Sequence, residues 1–230
     1  VGLTGPYRSP ALGGLAVTLS TEWAVAWLRG AAEVVAENRA LLIDLDRAIG
    51  DADHGENLDR GFSAVVAKLD AGEDPATPGE VLKNAAMTLM STVGGAAGPL
   101  YGTAFLRAAK ALGDAVEVGP HEAAAMLEAA RDGVVARGKA EVGDKTMIDA
   151  WTPAVESART AAAAGASAGE VLSAAANAAH AGAVATEPLV ARKGRASYLG
   201  ERSANHRDPG AVSTAMILQA AAVAAGSVNL

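Results

Sequence analysis

The chain has 230 residues, room for one large domain or two small ones, and a formal charge of −7 with a pI near 5.1. That charge argues against a general role on nucleic acid or at an anionic membrane, and no run approaches the roughly 18 apolar residues of a membrane span. With no cysteine there are no disulfides and no thiolate metal sites, which fits a cytoplasmic protein.

Half of the residues are hydrophobic, many of them alanine, and aromatics make up only 3%. Such sequence suits close-packed helices, and strand-forming runs of Val, Ile and Thr are scarce, so the expected class is all-α. Residues 1–19, with Gly and Pro scattered through them, are expected to be a flexible leader. Residues 20–230 show no repeat or internal boundary and are expected to form a single domain. Ser20 is placed to cap a helix carrying Trp23, Trp27, Leu28, Ala31, Val34 and Val35 at helical spacing. It runs to about Asn38, and a second piece, 40–48, follows. The two tryptophans suit a core or a subunit contact, with a nucleobase platform as the alternative.

After the loop 49–55, Leu58, Phe62, Val65, Val66 and Leu69 form the buried stripe of the next helix. Residues 70–76 are a polar turn. Thr77-Pro78-Gly79-Glu80 has the form of a capping box with Pro at the first helical position. The helix it opens ends at Gly94-Gly95, and a turn rich in glycine leads into helix 100–112. Gly119-Pro120 introduces a helix over 121–140. The following Gly138–Thr146 stretch nearly spells a phosphate-binding P-loop, but Asp144 intrudes before Lys145 and a helix, not a strand, precedes it, so that reading is rejected. Asp144 is expected to cap a helix over 147–163 instead. Ser167-Ala168-Gly169-Glu170 is a second capping box, opening helix 171–186, and 211–225 closes the chain as an apolar helix. The total is about eight helices.

Three stretches carry chemistry. The first is Leu45–Leu58, in which Asp46, Asp51 and Asp53 fall within eight residues ahead of a helix. On one unbroken helix Asp51 and Asp53 would point to nearly opposite sides, so they converge only if the backbone leaves the helix between them, which Gly50 and Gly55 are read as permitting. Carboxylates without cysteine favour a hard cation such as Mg²⁺, and a helix N-terminus favours phosphate. The same aspartates also suit ordinary turn and cap positions. The second stretch, Gly94–Gly102, can offer consecutive N–H groups as an anion nest or can simply be a helix cap and turn. The third, Arg192–Gly210, is a long connection holding five cations, suited to clamping phosphates or to lying solvated beside Glu201 and Asp208.

These three stretches, with the segment Gly138–Asp149, resemble the nucleotide-binding L subunit of bacterial dihydroxyacetone kinase, and the likeness runs in order from residue 20 onward. The resemblance implies an antiparallel eight-helix barrel with the nucleotide site at one end. It implies ADP or ATP as the nucleotide, with Asp46, Asp51 and Asp53 holding two Mg²⁺ ions that bridge its phosphates. His54, Gly55, Glu56 and Asn57 would lie against the nucleotide. Ala96, Ala97, Gly138, Met147 and Arg195 would surround it, and Asp208, Pro209 and Gly210 would close the pocket. Arg195 would be the catalytic cation. Ala97 stands where the family usually carries serine, and Asn205 where a glycine before His206 is usual. The implied reaction is phosphoryl transfer to dihydroxyacetone held on a separate sugar-binding (DhaK-type) subunit. ADP would be a resident cofactor recharged by a phosphohistidine (DhaM-type) protein of the phosphotransferase system, and the chain is expected to be a homodimer. The alternatives are a split ATP-dependent kinase for another small keto-sugar, a non-catalytic helical protein holding one cation, and RNA binding through Arg192–Arg207, which the acidic chain disfavours.

Overall fold

The computed structural model describes residues 19–72 and 75–227. The expected leader lies outside these residues except for Leu19, and the polar turn 70–76 is described only at its ends. Leu19 belongs to the fold rather than to a leader. It is fully buried and exchanges two backbone hydrogen bonds with Val118, of 3.0 and 2.7 Å.

Among the described residues the chain forms nine α-helices: α1 Thr21–Glu37, α2 Arg39–Ile49, α3 His54–Asp70, α4 Pro78–Thr92, α5 Ala97–Leu112, α6 Pro120–Gly138, α7 Ile148–Ala163, α8 Ala168–Ala185 and α9 Pro209–Ser227. A 3₁₀ segment, Arg195–Ser203, kinked at Gly200, interrupts the long connection before α9. The sequence signals explain several of these boundaries. Thr77 accepts from the Glu80 N–H at 3.1 Å, and Ser167 and Glu170 form a complete reciprocal capping box. Ser20 occupies the N-cap of α1, but its hydroxyl goes to Glu22 and caps no backbone group.

Eight of the helices, α1 and α3 to α9, close into a ring in which each packs on its chain neighbour and α9 packs on α1. α2 stands outside the ring, across one end, against α3, α9 and the 3₁₀ segment. Thus the expected eight-helix barrel and the count of nine agree. The chain breaks at Asn38, and the short piece beyond it serves the end of the barrel rather than its wall.

Successive ring helices run antiparallel, most of them across short connections, with α1 joined to α3 through α2 and α8 to α9 through the long 186–208 segment. The closing contact is antiparallel too, since the Trp23 indole donates to the Ala221 carbonyl at 3.1 Å and the Trp27 indole to the Ile217 carbonyl at 2.8 Å. Both tryptophans are core residues. Their rings stack with centroids 5.3 Å apart, and Trp27 continues to Phe105 at 5.4 Å. These large side chains fill the axis, while alanine lines most of the helix contacts. Contrary to the expectation that no run approaches a membrane span, segment Pro209–Gly226 of α9 has the length and apolarity of one, yet two thirds of it is buried between its ring neighbours. It is apolar nearly all round because the barrel surrounds it.

Glycine lets some of these helices approach closely. A Cβ on Gly182 of α8 would stand 2.2 Å from the Asp149 carbonyl oxygen on α7, whereas one on Gly30 of α1 would meet only Ala220 Cβ at 3.6 Å. Gly182→Ala is therefore expected to cost about 1–3 kcal/mol in urea unfolding. Gly30→Ala is expected to be neutral or to stabilise by up to about 1 kcal/mol. Equal effects of the two would contradict the close α7–α8 contact.

Candidate functional site

Antiparallel closure has a direct consequence. The N-termini of α3, α5, α7 and α9 all reach the same end of the barrel, with the four links that precede them. There they border a cavity of about 190 Å³. Free N–H groups and aligned helix dipoles make such an end electropositive.

The link before α3 carries the acidic loop. Asp46 lies buried on the last turn of α2, and one of its oxygens accepts from the Asp53 N–H at 2.8 Å and the His54 N–H at 3.1 Å. A side chain of α2 thus caps α3, and Asp53, although at the N-cap position, makes no capping bond of its own. The carboxylates of Asp51 and Asp53 are thereby left for other work. The turn that lets them converge is made at Ala52, which adopts left-handed backbone at φ +64°. Of the two glycines expected to permit this, Gly50 is where the backbone leaves the helix, at φ −143° and ψ −138°, whereas Gly55 lies in the first turn of α3. Both also allow close approach, since a Cβ on Gly50 would fall 2.1 Å from Asp46 Oδ1 and one on Gly55 2.4 Å from the Arg39 carbonyl oxygen.

Asp46, Asp51 and Asp53 each offer one carboxylate oxygen within 4.8 Å of the others. Three like charges at that spacing call for a cation, and Arg195 supplies one at 2.9 Å from Asp51. An all-oxygen donor set with room for water fits Mg²⁺.

Of the other residues expected at the site, His54, Ala96, Ala97, Met147, Arg195, Asp208, Pro209 and Gly210 line the same cavity. His54 Nε2 lies 2.9 Å from Ser213 Oγ, which lies 2.7 Å from the Tyr101 hydroxyl, and Tyr101 donates to the Gly210 carbonyl at 3.2 Å. Burial holds His54 below the usual histidine range, against the opposing charges of Asp46 and Asp53. Ser213 is fully buried within this network and is not presented to the cavity as a nucleophile. Met147 packs at the start of α7, and no side chain caps α5 beside Ala96 and Ala97.

Four expected residues do not line the cavity. Gly55 is pressed against α2, and Glu56 turns outward to Arg39 at 2.9 Å. Asn57 is buried and accepts from Arg60 at 2.5 Å, and Gly138 ends α6 beside Leu100. Nor do all five cations of the 192–210 segment converge. Lys193 and Arg195 face the cavity, Arg207 pairs with Glu187 at 3.1 Å, and Arg192 and Arg202 lie exposed outside it. Asp144 does not cap α7. It accepts from the Glu141 N–H at 2.9 Å within its own loop, and Asp149 braces that loop through Gly143 and Thr146.

Sequence reasoning missed Lys145, Thr146 and the Tyr101–Ser213 pair as site residues, and named Lys193 only as one of the five cations of its segment. Lys145 was visible only as part of a rejected P-loop. It is 1% exposed, and its ammonium is spent on main-chain carbonyls. Asp208 caps α9 through the Ala211 N–H at 2.7 Å. Burial, helped by Asp149, pushes its carboxyl up to about 7, against the Ala211 hydrogen bond and the Lys145 charge.

Between about pH 4 and pH 7, therefore, the folded chain binds more protons at Asp208 than the unfolded chain does, and this group makes stability fall as pH rises through that window. In metal-free buffer the thermal midpoint of the wild type, relative to Asp208→Asn, is expected to decline between about pH 4 and pH 7. A difference independent of pH would contradict this.

Residues 48–223 match the DAK2 domain. The chain is 48% identical over 209 residues to the ADP-binding subunit DhaL of the PEP-dependent dihydroxyacetone kinase of Escherichia coli (strain K12), covering 91% of this chain and 99% of that one. It is 44% identical over 204 residues to the corresponding subunit of kinase 1 of Listeria innocua, covering 89% and 96%. The triokinase/FMN cyclase of Rattus norvegicus is 38% identical over 176 residues, 76% of this chain but 30% of that protein. In structure, the dihydroxyacetone kinase of C. freundii superposes with a TM-score of 0.67 at 22% identity, covering 97% of this chain and 38% of that one, which shows a shared fold. The same kinase in complex with AMP-PNP and Mg²⁺ gives a TM-score of 0.66. The chain belongs to the DAK2 domain family, that of the L subunits of bacterial dihydroxyacetone kinase.

Proposed function

We propose that this chain is the nucleotide-holding subunit of a dihydroxyacetone kinase. It holds ADP or ATP through two Mg²⁺ ions and passes the terminal phosphoryl group to dihydroxyacetone on a separate sugar-binding subunit. The observation that carries this reading is the convergence of three carboxylates at the rim where four helix N-termini meet. Carboxylates there serve a cation, and the N-termini serve the anion that the cation accompanies. The E. coli and Listeria relatives are named PEP-dependent and ADP-binding, which supports a resident ADP recharged by a phosphohistidine protein.

In this reading Asp46, Asp51 and Asp53 hold the metal, which when bound offsets phosphate charge. Asp46 has a second task, fixing the start of α3 so that His54 faces the nucleotide as a neutral side chain. The uncapped N–H groups at Ala96 and Ala97 face phosphate, and Met147 supplies an apolar wall for the base. Arg195 reaches the site from a flexible side chain that is 70% exposed, and leaves Asp51 to meet charge on the transferring group. Catalysis is then positioning and charge neutralisation rather than covalent chemistry.

Asp51→Ala and Asp53→Ala are each expected to weaken Mg²⁺-dependent ADP binding by more than about a hundredfold in calorimetric titration, with unchanged helical circular dichroism. Unaltered ADP affinity would overturn the metal assignment. Arg195→Ala is expected to slow transfer by about 10²–10³ while ADP affinity falls by less than about tenfold. Equal losses would place Arg195 in ground-state binding alone.

A further inference from the structure

Lys145 carries a buried charge that neither the metal nor the phosphate reading uses. Its ammonium lies 2.9 Å from the Thr186 carbonyl oxygen, 3.0 Å from that of Leu189, 3.3 Å from that of Glu187 and 2.5 Å from that of His206. Four main-chain oxygens around one cation form the kind of cage with which proteins replace the hydration shell of K⁺. Three of them come from the turn that follows α8, where the C-terminal end of the helix dipole also favours a cation.

The cage has a place in the site. Thr186–Leu189 enters the connection that carries Lys193 and Arg195, and His206 leaves it just before Asp208. Lys145 itself sits in the link before α7. One ammonium therefore ties the link before α7 to both ends of the link before α9, two of the four links that border the cavity. Further bonds run along the same seam, from the Asn205 N–H to the Glu187 carbonyl at 2.7 Å, from the Asp208 N–H to Thr186 Oγ1 at 2.9 Å and from the Arg192 N–H to the Asp144 carbonyl at 3.0 Å. Each of these bonds involves a residue that holds the ammonium or lies next to Lys145 in the chain.

We infer that Lys145 is a positioning residue whose ammonium acts as a built-in monovalent cation, clamping both ends of the segment that presents Arg195. It follows that shortening this side chain opens a site for a free cation of similar charge and size. The affinity readout below rests on the proposed nucleotide site, whereas the stability readout does not.

The experiment compares the full chain as wild type, Lys145→Ala and Lys145→Met in choline, potassium and ammonium chloride at equal ionic strength. Thermal midpoint and Mg·ADP dissociation constant are measured for each. In choline both variants are expected to melt about 5–15 °C below the wild type, because four carbonyls lose their cation. Potassium or ammonium is expected to recover most of that loss in Lys145→Ala. It is expected to recover none in Lys145→Met, whose side chain fills the space. Mg·ADP is expected to bind Lys145→Ala about tenfold more weakly in choline and to recover with the same ions.

A Lys145→Ala midpoint in choline equal to that of the wild type, a midpoint no higher in potassium or ammonium than in choline, or failure to fold in every salt would each overturn the inference. Ion-selective recovery of the midpoint in a chain whose wild type binds no Mg·ADP would sustain the cage and overturn the nucleotide reading.

Discussion

The structure depends on closing an even ring of antiparallel helices. Once α9 meets α1, alternate helices must begin at the same end, and the N-termini of α3, α5, α7 and α9 are brought together without any residue being chosen for that purpose. The two indole-to-carbonyl hydrogen bonds from α1 to α9 fix that closure. What the barrel supplies is a rim with an excess of unpaired N–H groups, and the links that cross the rim decide what it binds.

Those links resolve the rim's electrostatics in different ways. At α3, Asp46 takes up two N–H groups and at the same time becomes the buried corner of the acidic trio. At α9, Asp208 takes up another, and its carboxyl is neutral over part of the ordinary pH range because burial there outweighs the ammonium nearby. At α5 no side chain caps the helix, and residues 94–97 at its start line the cavity. The three aspartates, Lys193 and Arg195 place both signs of charge within one small volume of a chain that is acidic overall. Such a mixture suits a ligand that is itself a cation–anion pair.

The sequence made the helices legible because alanine-rich stripes, two capping boxes and glycine-marked ends leave little choice of element. It made the acidic trio legible because each aspartate alone suits a turn or cap, but three within eight residues ahead of a helix also suit a cation. Other features were hidden. The turn at Ala52 runs against local preference, since alanine pays to adopt left-handed backbone, and only the surrounding capping by Asp46 shows why it does. Glu56 and Asn57 sit next to the site in sequence but turn to Arg39 and Arg60, because a helix sends successive residues to different faces. Lys145 looked like a failed P-loop lysine. Its partners lie 41 to 61 residues away, and no local pattern announces them. The family resemblance supplied the site list, and the geometry divides that list into residues that line the cavity and residues that shape its walls.

The central claim is that the rim holds a nucleotide through a metal. The most direct test is to denature the gently purified protein and identify the released nucleotide by mass, before and after chelation of Mg²⁺. The account predicts near-stoichiometric ADP that is lost on chelation. A protein that carries no nucleotide, and gains no thermal stability from ADP or ATP with Mg²⁺, would contradict it and leave the family likeness as one of fold alone.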